Sequence, residues 1–269
     1  MISAVLHSRQ KGLSLIELMV AMLIGMFLIL GVTQIFISNQ RAYLFQQGQM
    51  GNQENGRFAL AILSQELLKA GYRSNLGAGI PADATLSGCT FPAGAAVVAL
   101  SDTSLCIQYQ ATNKLDVTCQ GGVLANADKD SITSPYSAKT VPSTTRPKIV
   151  EKIAFVAGTG NDTGAITCTS GSTTQQLVSG VKDLRFEYGS GAADSKTVST
   201  FSTTPTGTIA AVRYSVLMQS PGTSMIRDNT SAVSPALKDW NGRYGTTYAD
   251  VNSIYQIVQG TIMIRNQMQ

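Results

Sequence analysis

Leu18 to Val32 is an unbroken run of fifteen apolar residues. Thr33 and Gln34 interrupt it, and Ile35, Phe36 and Ile37 resume it. Between Leu13 and Ile37 the single charge is Glu17. A stretch of this kind is about as long as a helix needs to cross a bilayer, roughly 20 residues. Arg9 and Lys11 lie on its N-terminal side, which predicts that end in the cytoplasm and the chain from about residue 41 outside. A secretory signal peptide would carry a shorter apolar run and a small-x-small cleavage site. The residues that follow here are Thr33-Gln34-Ile35-Phe36-Ile37. A plain signal anchor fits the length but leaves Glu17 unexplained. A carboxylate inside a spanning helix costs about 3 kcal/mol, so its presence points to a function.

The residues around Glu17 carry a motif. Lys11-Gly12-Leu13-Ser14-Leu15-Ile16-Glu17-Leu18-Met19-Val20 resembles the class III signal of type IV prepilins. The resemblance implies cleavage by a prepilin peptidase after Gly12, N-methylation of the new N-terminal Leu13, and an assembly role for Glu17. Most pilins have Phe where this chain has Leu13. The chemistry of Glu17 agrees independently. It sits in the first turn of the expected helix, where the helix dipole favours a carboxylate. Cleavage would create an α-amino group with a pKa near ~8, mostly cationic at neutral pH. That amine could pair with the Glu of the subunit ahead of it in a fibre.

Helical character continues to Ala70. Phe58, Ala59, Ile62, Leu63, Leu67 and Ala70 recur at spacings of three and four, and Gly71 is placed as a C-cap. A helix from Ser14 to Ala70 would be roughly 85 Å long at 1.5 Å per residue. No proline interrupts it. Many major pilins have a proline about twenty residues into the mature helix, near the position of Gln34. Gln46 to Gly56 contains three Gly and almost no apolar residue. Each Gly costs a helix about 1 kcal/mol relative to Ala. The segment is either a hinge or an exposed continuous helix held by its flanks. Glu54-Asn55-Gly56-Arg57-Phe58-Ala59 and Ala70-Gly71-Tyr72 resemble the PilW type of minor pilin. A Cys often follows the Ala-Gly-Tyr in that family. Arg73-Ser74-Asn75 follows here, so the family's disulfide pattern does not transfer.

Beyond Gly71 the periodicity becomes two. Leu105 to Gln110, Asp183 to Tyr188, Val212 to Met218 and Val258 to Ile264 predict half-buried strands. Ala95 to Leu100, Leu115 to Thr118, Ile153 to Ala157 and Ala165 to Thr169 are weaker candidates. One helix followed by strands predicts an α+β fold with an antiparallel sheet on the C-terminal half of the helix. The pilin resemblance implies the same architecture. Val181 to Gly189 and Ile264-Arg265-Asn266 also resemble the PilW pattern. Ala157 to Gln175 and Gly189 to Thr208 are rich in Gly, Ser and Thr and read as long loops. Gly158-x-Gly160-x-x-x-Gly164 opens no helix after a strand and is a poor phosphate cradle. The expected organisation is a leader over 1–12, a membrane and assembly helix over 13–38, and a periplasmic domain over 39–269.

Cys89, Cys106, Cys119 and Cys168 all lie after the membrane segment. An even count in an oxidising compartment suggests disulfides, and four cysteines allow three connectivities. Cys89–Cys106 with Cys119–Cys168 is the preferred pairing; one disulfide with two free thiols is the alternative. No Cys-x-x-Cys occurs, so no metal site is expected. Leu237 to Tyr244, containing Trp240 with Tyr248 nearby, is either a partner-binding loop or a packed structural turn. Ala21-x-x-x-Gly25 is a weak helix-contact motif. His7 is the only His, and it precedes Gly12. A processed chain would lack the Ser-His-Asp and Cys-His constellations. The balance of 20 Lys+Arg against 16 Asp+Glu, net +4, gives no nucleic-acid footprint. No cofactor and no enzymatic activity are expected.

The resemblance implies a minor pilin that primes assembly of a type IV pilus at or near its tip. It implies other minor pilins, the tip complex, the major pilin and the prepilin peptidase as partners. It also implies the inner membrane as the location before assembly and the cell surface after it. A minor pseudopilin of a type II secretion system shares the leader, the Glu and the fold. A signal-anchored periplasmic enzyme or binding protein would need neither processing at Gly12 nor Glu17.

Overall fold

The computed structural model describes residues 12, 14–73, 79–111, 113–124, 147–160, 162–191, 197–220 and 233–267. The chain divides into two compact units, Met1–Gln46 and Gln47–Gln269. Helix α1, Leu15–Lys69, contributes to both. From Leu18 to Val32 it is apolar on every side, and an 18-residue window reaches a mean hydropathy of 2.6 with none of it buried. A helix hydrophobic all round is suited to a membrane rather than to one face of a core.

The second unit holds an antiparallel sheet. Its strands are β1 (Val97–Ser101), β2 (Ser104–Gln110), β3 (Lys148–Val156), β4 (Gly164–Ser170), β5 (Thr173–Ser190), β6 (Thr200–Ser202), β7 (Ile209–Gln219) and β8 (Tyr255–Met263). The spatial order is β1-β2-β3-β4-β5-β7-β8, with β6 paired to β5 off that path. The sheet curls. The β1–β2 turn reaches β5, where Phe186 N donates to Asp102 O at 2.6 Å. Tyr188 Oη donates to the carbonyls of Ser101 and Ser104 at 3.0 and 3.1 Å.

The inner face of the sheet buries the second-unit part of α1. Gly48, Asn52, Gly56, Ala59, Leu63, Glu66 and Leu67 form one buried helix stripe at steps of three and four. Ala59, Leu63, Leu67 and Ala70 meet Leu105, Ile153, Ile166, Leu184, Phe186, Val216 and their neighbours in the main core. Lys69 closes the helix. Gly71 follows at φ +73 and gives its N–H to Gln108 O on β2 at 2.8 Å. A Cβ there would stand 2.8 Å from Ala96 Cβ, so both the dihedral and the close approach call for glycine.

The Gly-rich segment follows the continuous-helix reading, but one of its faces is buried rather than exposed. It is helical throughout, and Gly48, Asn52 and Gly56 are buried. A Cβ on Gly48 would lie 3.2 Å from Ile254 Cδ1, and one on Gly56 would lie 3.0 Å from Val258 Cγ1. Asn52 Nδ2 donates to Ile254 O at 2.7 Å. The missing side chains let the helix approach β8 closely, and that contact offsets the intrinsic cost of glycine.

Two smaller clusters cover the outer face. Leu86, Cys89 and Phe91 pack on Cys106 and Val150. Leu237, Trp240 and Tyr255 pack on Leu217. The second cluster rests on a helix that the periodicity did not announce, α2 (Pro235–Tyr244), with Pro in its first turn and Gly245 at φ 65 after its end. Trp240 is therefore packed, as the structural reading expects, but on a helix rather than in a turn. Cys89 is bonded to Cys106, with Cα atoms 5.9 Å apart, and Cys119 to Cys168, 6.3 Å apart. The first bond ties residues 79–94 to the outer face of β2, and the second ties residues 113–124 to β4.

One strand reading and two loop readings need correction, while the strand expected over Ala165 to Thr169 is present as β4. Leu115 to Thr118 is no strand. Asn113 Oδ1 accepts the N–H of Leu115 at 2.7 Å in a turn, and pairing is limited to one bridge, Val117 with Val123. Ala157 to Gln175 is not one loop, because β4 and the start of β5 lie inside it. There Ile166 and Cys168 face the core while the Thr and Ser positions are half-buried or exposed. Gly158 stands in the β3–β4 turn, where a Cβ would be 2.4 Å from Asp162 O, so the glycines serve a tight turn. Gly189 to Thr208 contains the end of β5 and all of β6, while residues 192–196 lie outside the described residues.

Candidate functional site

Two regions carry candidate functional chemistry among the described residues. The first is the head of α1. Gly12 is exposed just before the helix, and Leu13 and His7 lie outside the described residues. Leu18 N–H donates to Ser14 O at 3.2 Å, so helical bonding begins at Ser14. That places Glu17 in the first turn, where amide N–H groups lack intrahelical acceptors and a carboxylate is favoured. The face around it is apolar and exposed: Leu15, Ile16, Leu18 and Met19 are all at least half exposed. One acidic group is thus carried on a helix end that is otherwise suited to lipid or to another apolar helix.

The second region is polar and buried, and it went unnoticed in the sequence. Glu151, on β3, faces the core between Ile149 and Ile153 and is 0% exposed. Its Oε1 accepts Tyr109 Oη at 3.0 Å and the N–H of Cys119 at 2.7 Å, while Oε2 has no partner. Glu66, from α1, is also buried and is held by Lys69 at 2.8 and 2.9 Å. Burial pushes Glu151 up to about 7; the Cys119 N–H, Lys69 and Tyr109 oppose the rise, and the Glu66 charge adds to it. Tyr109 is pushed up too, by burial and then by the Glu151 charge. The Sγ atoms of Cys119 and Cys168 lie within 4.8 Å of a Glu151 oxygen. Both sulfurs are spent in their disulfide, which leaves one carboxylate and no metal-binding donor set.

Other buried charges have structural partners. Asp83 pairs with Lys148 and accepts Thr85 N and Oγ1. Burial would raise its carboxyl, but the Lys148 and Thr85 bonds outweigh that and hold it below its usual value. Asp183 Oδ2 accepts Trp240 Nε1 at 3.0 Å and Arg185 Nε at 2.9 Å. Arg185 also pairs with Asp102 and lies 6.0 Å from the Tyr244 ring centroid. These bonds join β5, α2 and the β1–β2 turn. They position no nucleophile beside a base.

Comparison with known proteins bears on the head of α1 and on the C-terminal part of the sheet domain. The family model described as type IV Pilus-assembly protein W matches residues 155–266. The prokaryotic N-terminal methylation motif matches residues 7–33, which include Gly12, Leu13 and Glu17. Among solved structures, a type IV-like pilin from Thermus thermophilus is similar with a TM-score of 0.38 and 11% identity, covering 80% of this chain and 96% of its own. A search of curated proteins returns no match. The chain thus joins an N-terminal methylation motif, over residues 7–33, to a region similar to the PilW family, over residues 155–266.

Proposed function

We propose that this chain is a minor pilin, a non-enzymatic subunit that helps to initiate a type IV pilus and stands at or near its tip. The observation that carries the reading is the presence, in one chain, of the methylation motif around Gly12 and Glu17 and of the PilW region. Leader cleavage after Gly12 leaves Leu13 as the N-methylated end. The apolar head of α1 holds the subunit in the inner membrane, with the sheet domain on the periplasmic side. Two disulfides in that domain suit an oxidising compartment. Other minor pilins, the tip complex and the major pilin are then its partners. The PilW match favours a pilus over a type II secretion pseudopilus.

The reaction at Gly12 follows from its setting. It is exposed and lies ahead of the first helical turn, so a peptidase can reach its backbone. A peptidase subsite shaped for hydrogen excludes a branched side chain. Gly12→Val should therefore keep its leader in cells that carry the peptidase, as read by the intact mass of membrane-extracted protein. A variant that still yields chains starting at Leu13 would refute the processing site.

A further inference from the structure

The Cys119–Cys168 disulfide lies against a buried carboxylate. Both Sγ atoms and one oxygen of Glu151 lie within 4.8 Å of one another, and all three residues are buried. The strand register sets part of this placement. On the β3–β4 pair Cys168 stands opposite Ile153, two residues along from Glu151, so Cys168 and Glu151 are diagonal neighbours on the core face. Cys119 arrives from the 113–124 segment, and its own N–H is bonded to Glu151 Oε1 at 2.7 Å. Tyr109 Oη donates to the same oxygen and fixes the carboxyl group, while the buried Oε2 has no partner among the described residues. Buried polar atoms are nearly always paired, so an open carboxylate oxygen beside two sulfurs points to a ligand.

Neither cysteine depends on the disulfide alone for its position. Gln120 Nε2 donates to Cys168 O at 3.1 Å and to Thr173 O at 2.6 Å, and Gln120 Oε1 accepts Thr173 Oγ1 at 2.7 Å. Thr118 N–H donates to Gly122 O at 2.9 Å and closes the turn that carries Cys119. With the S–S bond opened, these bonds still hold two thiols on one carboxylate. Tetrahedral zinc, with Zn–S about 2.3 Å and Zn–O about 2.1 Å, sets its sulfurs about 3.8 Å apart and each sulfur about 3.6 Å from the oxygen. The Cα atoms of the two cysteines are 6.3 Å apart, near the wide end of what a disulfide spans, so side-chain rotation can part the sulfurs that far. The donor set also selects the ion. Two thiolates disfavour calcium and magnesium, and the carboxylate favours zinc over the softer copper(I).

We propose that the reduced form of this chain binds one zinc ion through Cys119, Cys168 and Glu151, so that the same residues make a disulfide in one redox state and a metal centre in the other. Opening the S–S bond takes two electrons and two protons, supplied by a dithiol that closes to its own disulfide. Cys119 is 8% exposed and Cys168 0%, so the dithiol attacks at Cys119 and releases the Cys168 sulfur. Zinc then replaces the two thiol protons, which leave to solvent. Glu151 binds as the carboxylate, and water takes the fourth position. The metal holds the 113–124 segment to β3 and β4, as the disulfide holds it to β4. The proposal stands independently of the minor-pilin reading.

The test uses the full-length chain in detergent, either oxidised or reduced with dithiothreitol that is then removed without oxygen. Zinc alone is added, and bound metal per chain and affinity against a chromophoric chelator are measured. Cobalt(II) serves as the spectroscopic probe. The expected result is one zinc per reduced chain and none per oxidised chain, with thiolate-to-cobalt charge-transfer absorption and the d–d bands of a tetrahedral site. Cys119→Ser with Cys168→Ser should bind none. Its reference is the reduced wild type, which also lacks the crosslink, so loss of the crosslink is not the variable. Glu151→Gln keeps an oxygen for Tyr109 and Cys119 and should retain the fold. It should weaken zinc binding at least about tenfold, the least that loss of an outer-shell partner costs. Zinc retained by the Cys119→Ser, Cys168→Ser chain would assign the metal to Cys89 and Cys106 or to another site and overturn the proposal. Equal affinity in Glu151→Gln, zinc bound equally by the oxidised chain, or a reduced chain that binds none would overturn it as well.

Discussion

Replacing Glu151 by Gln should change the pH dependence of stability in a direction that can be worked out beforehand. The carboxyl is fully buried and titrates at about 7, against an ordinary 4.5 in an unfolded chain. The folded state therefore keeps the proton over a range in which the unfolded state has lost it. Stability contributed by the protonated group is fully present below pH 4.5 and is lost as pH rises towards 7. The difference between the two values corresponds to about 3 kcal/mol. Glu151→Gln keeps an oxygen to accept Tyr109 Oη and Cys119 N–H, and it places no charge near Glu66. At pH 8 the variant should be more stable than wild type by about 3 kcal/mol, and near pH 4.5 the two should be close. For a domain of this size that is a rise in Tm of about 6–12 °C at pH 8. The assay is thermal and urea unfolding from pH 4.5 to 8, on a chain beginning at Asn39, with the difference between variant and wild type plotted against pH. Taking the difference removes Asp83, whose lowered carboxyl contributes stability that is lost as pH falls. A flat difference curve, or a variant that is less stable at pH 8, would refute the account of Glu151.

Three further outcomes test the packing. Gly56→Ala should destabilise by about 1–3 kcal/mol through its 3.0 Å approach to Val258, whereas Gly51→Ala, with nothing within 4 Å, should gain up to about 1 kcal/mol in urea unfolding. Trp240→Phe should cost about 1–3 kcal/mol by removing the indole donor from Asp183, with the Asp183–Arg185 bond retained, as read by denaturant unfolding. Cys119→Ser with Cys168→Ser should lower stability by about 2–5 kcal/mol, and mass spectrometry of wild type from an oxidising compartment should find no free thiol.

The sequence was most readable where one face of an element is apolar and the other carries polar side chains. Asp183 to Tyr188 alternates because Leu184, Phe186 and Tyr188 enter the core, and the 3–4 spacing of Ala59, Leu63 and Leu67 reports the same sheet from the helix side. Composition misled where pairing decides. The Thr- and Ser-rich residues of β4 and early β5 have the composition of a loop, but each strand is held by the other and β4 also carries Cys168. Gly48 and Gly56 look costly for a helix until the sheet is placed 3 Å from where their side chains would be. α2 is short, with only Leu237 and Trp240 buried, too few to set a period, although Pro235 and Gly245 did mark its ends. Glu151 left a trace, since it occupies a core position between Ile149 and Ile153 in an alternating row. Its partners could not be read, because Tyr109, Cys119 and Glu66 come from three separate elements. At the head of α1 the reverse holds. The methylation motif is local, so the order of residues over 7–33 carries it without any tertiary contact.

The most direct measurement is the amount of mature protein in sheared pili, with pilus number per cell, for wild type and Glu17→Leu. Were α1 only a membrane anchor, the change would remove a charge that costs about 3 kcal/mol in a spanning helix and would be neutral or better. As a pilin helix, the variant should insert, lose its leader after Gly12, and then enter pili less well. The amine of Leu13, or of a neighbouring subunit, would be left without its counter-charge in a medium of low dielectric. Reduced incorporation with normal processing is the predicted result; equal incorporation and equal piliation would contradict the assembly role of Glu17.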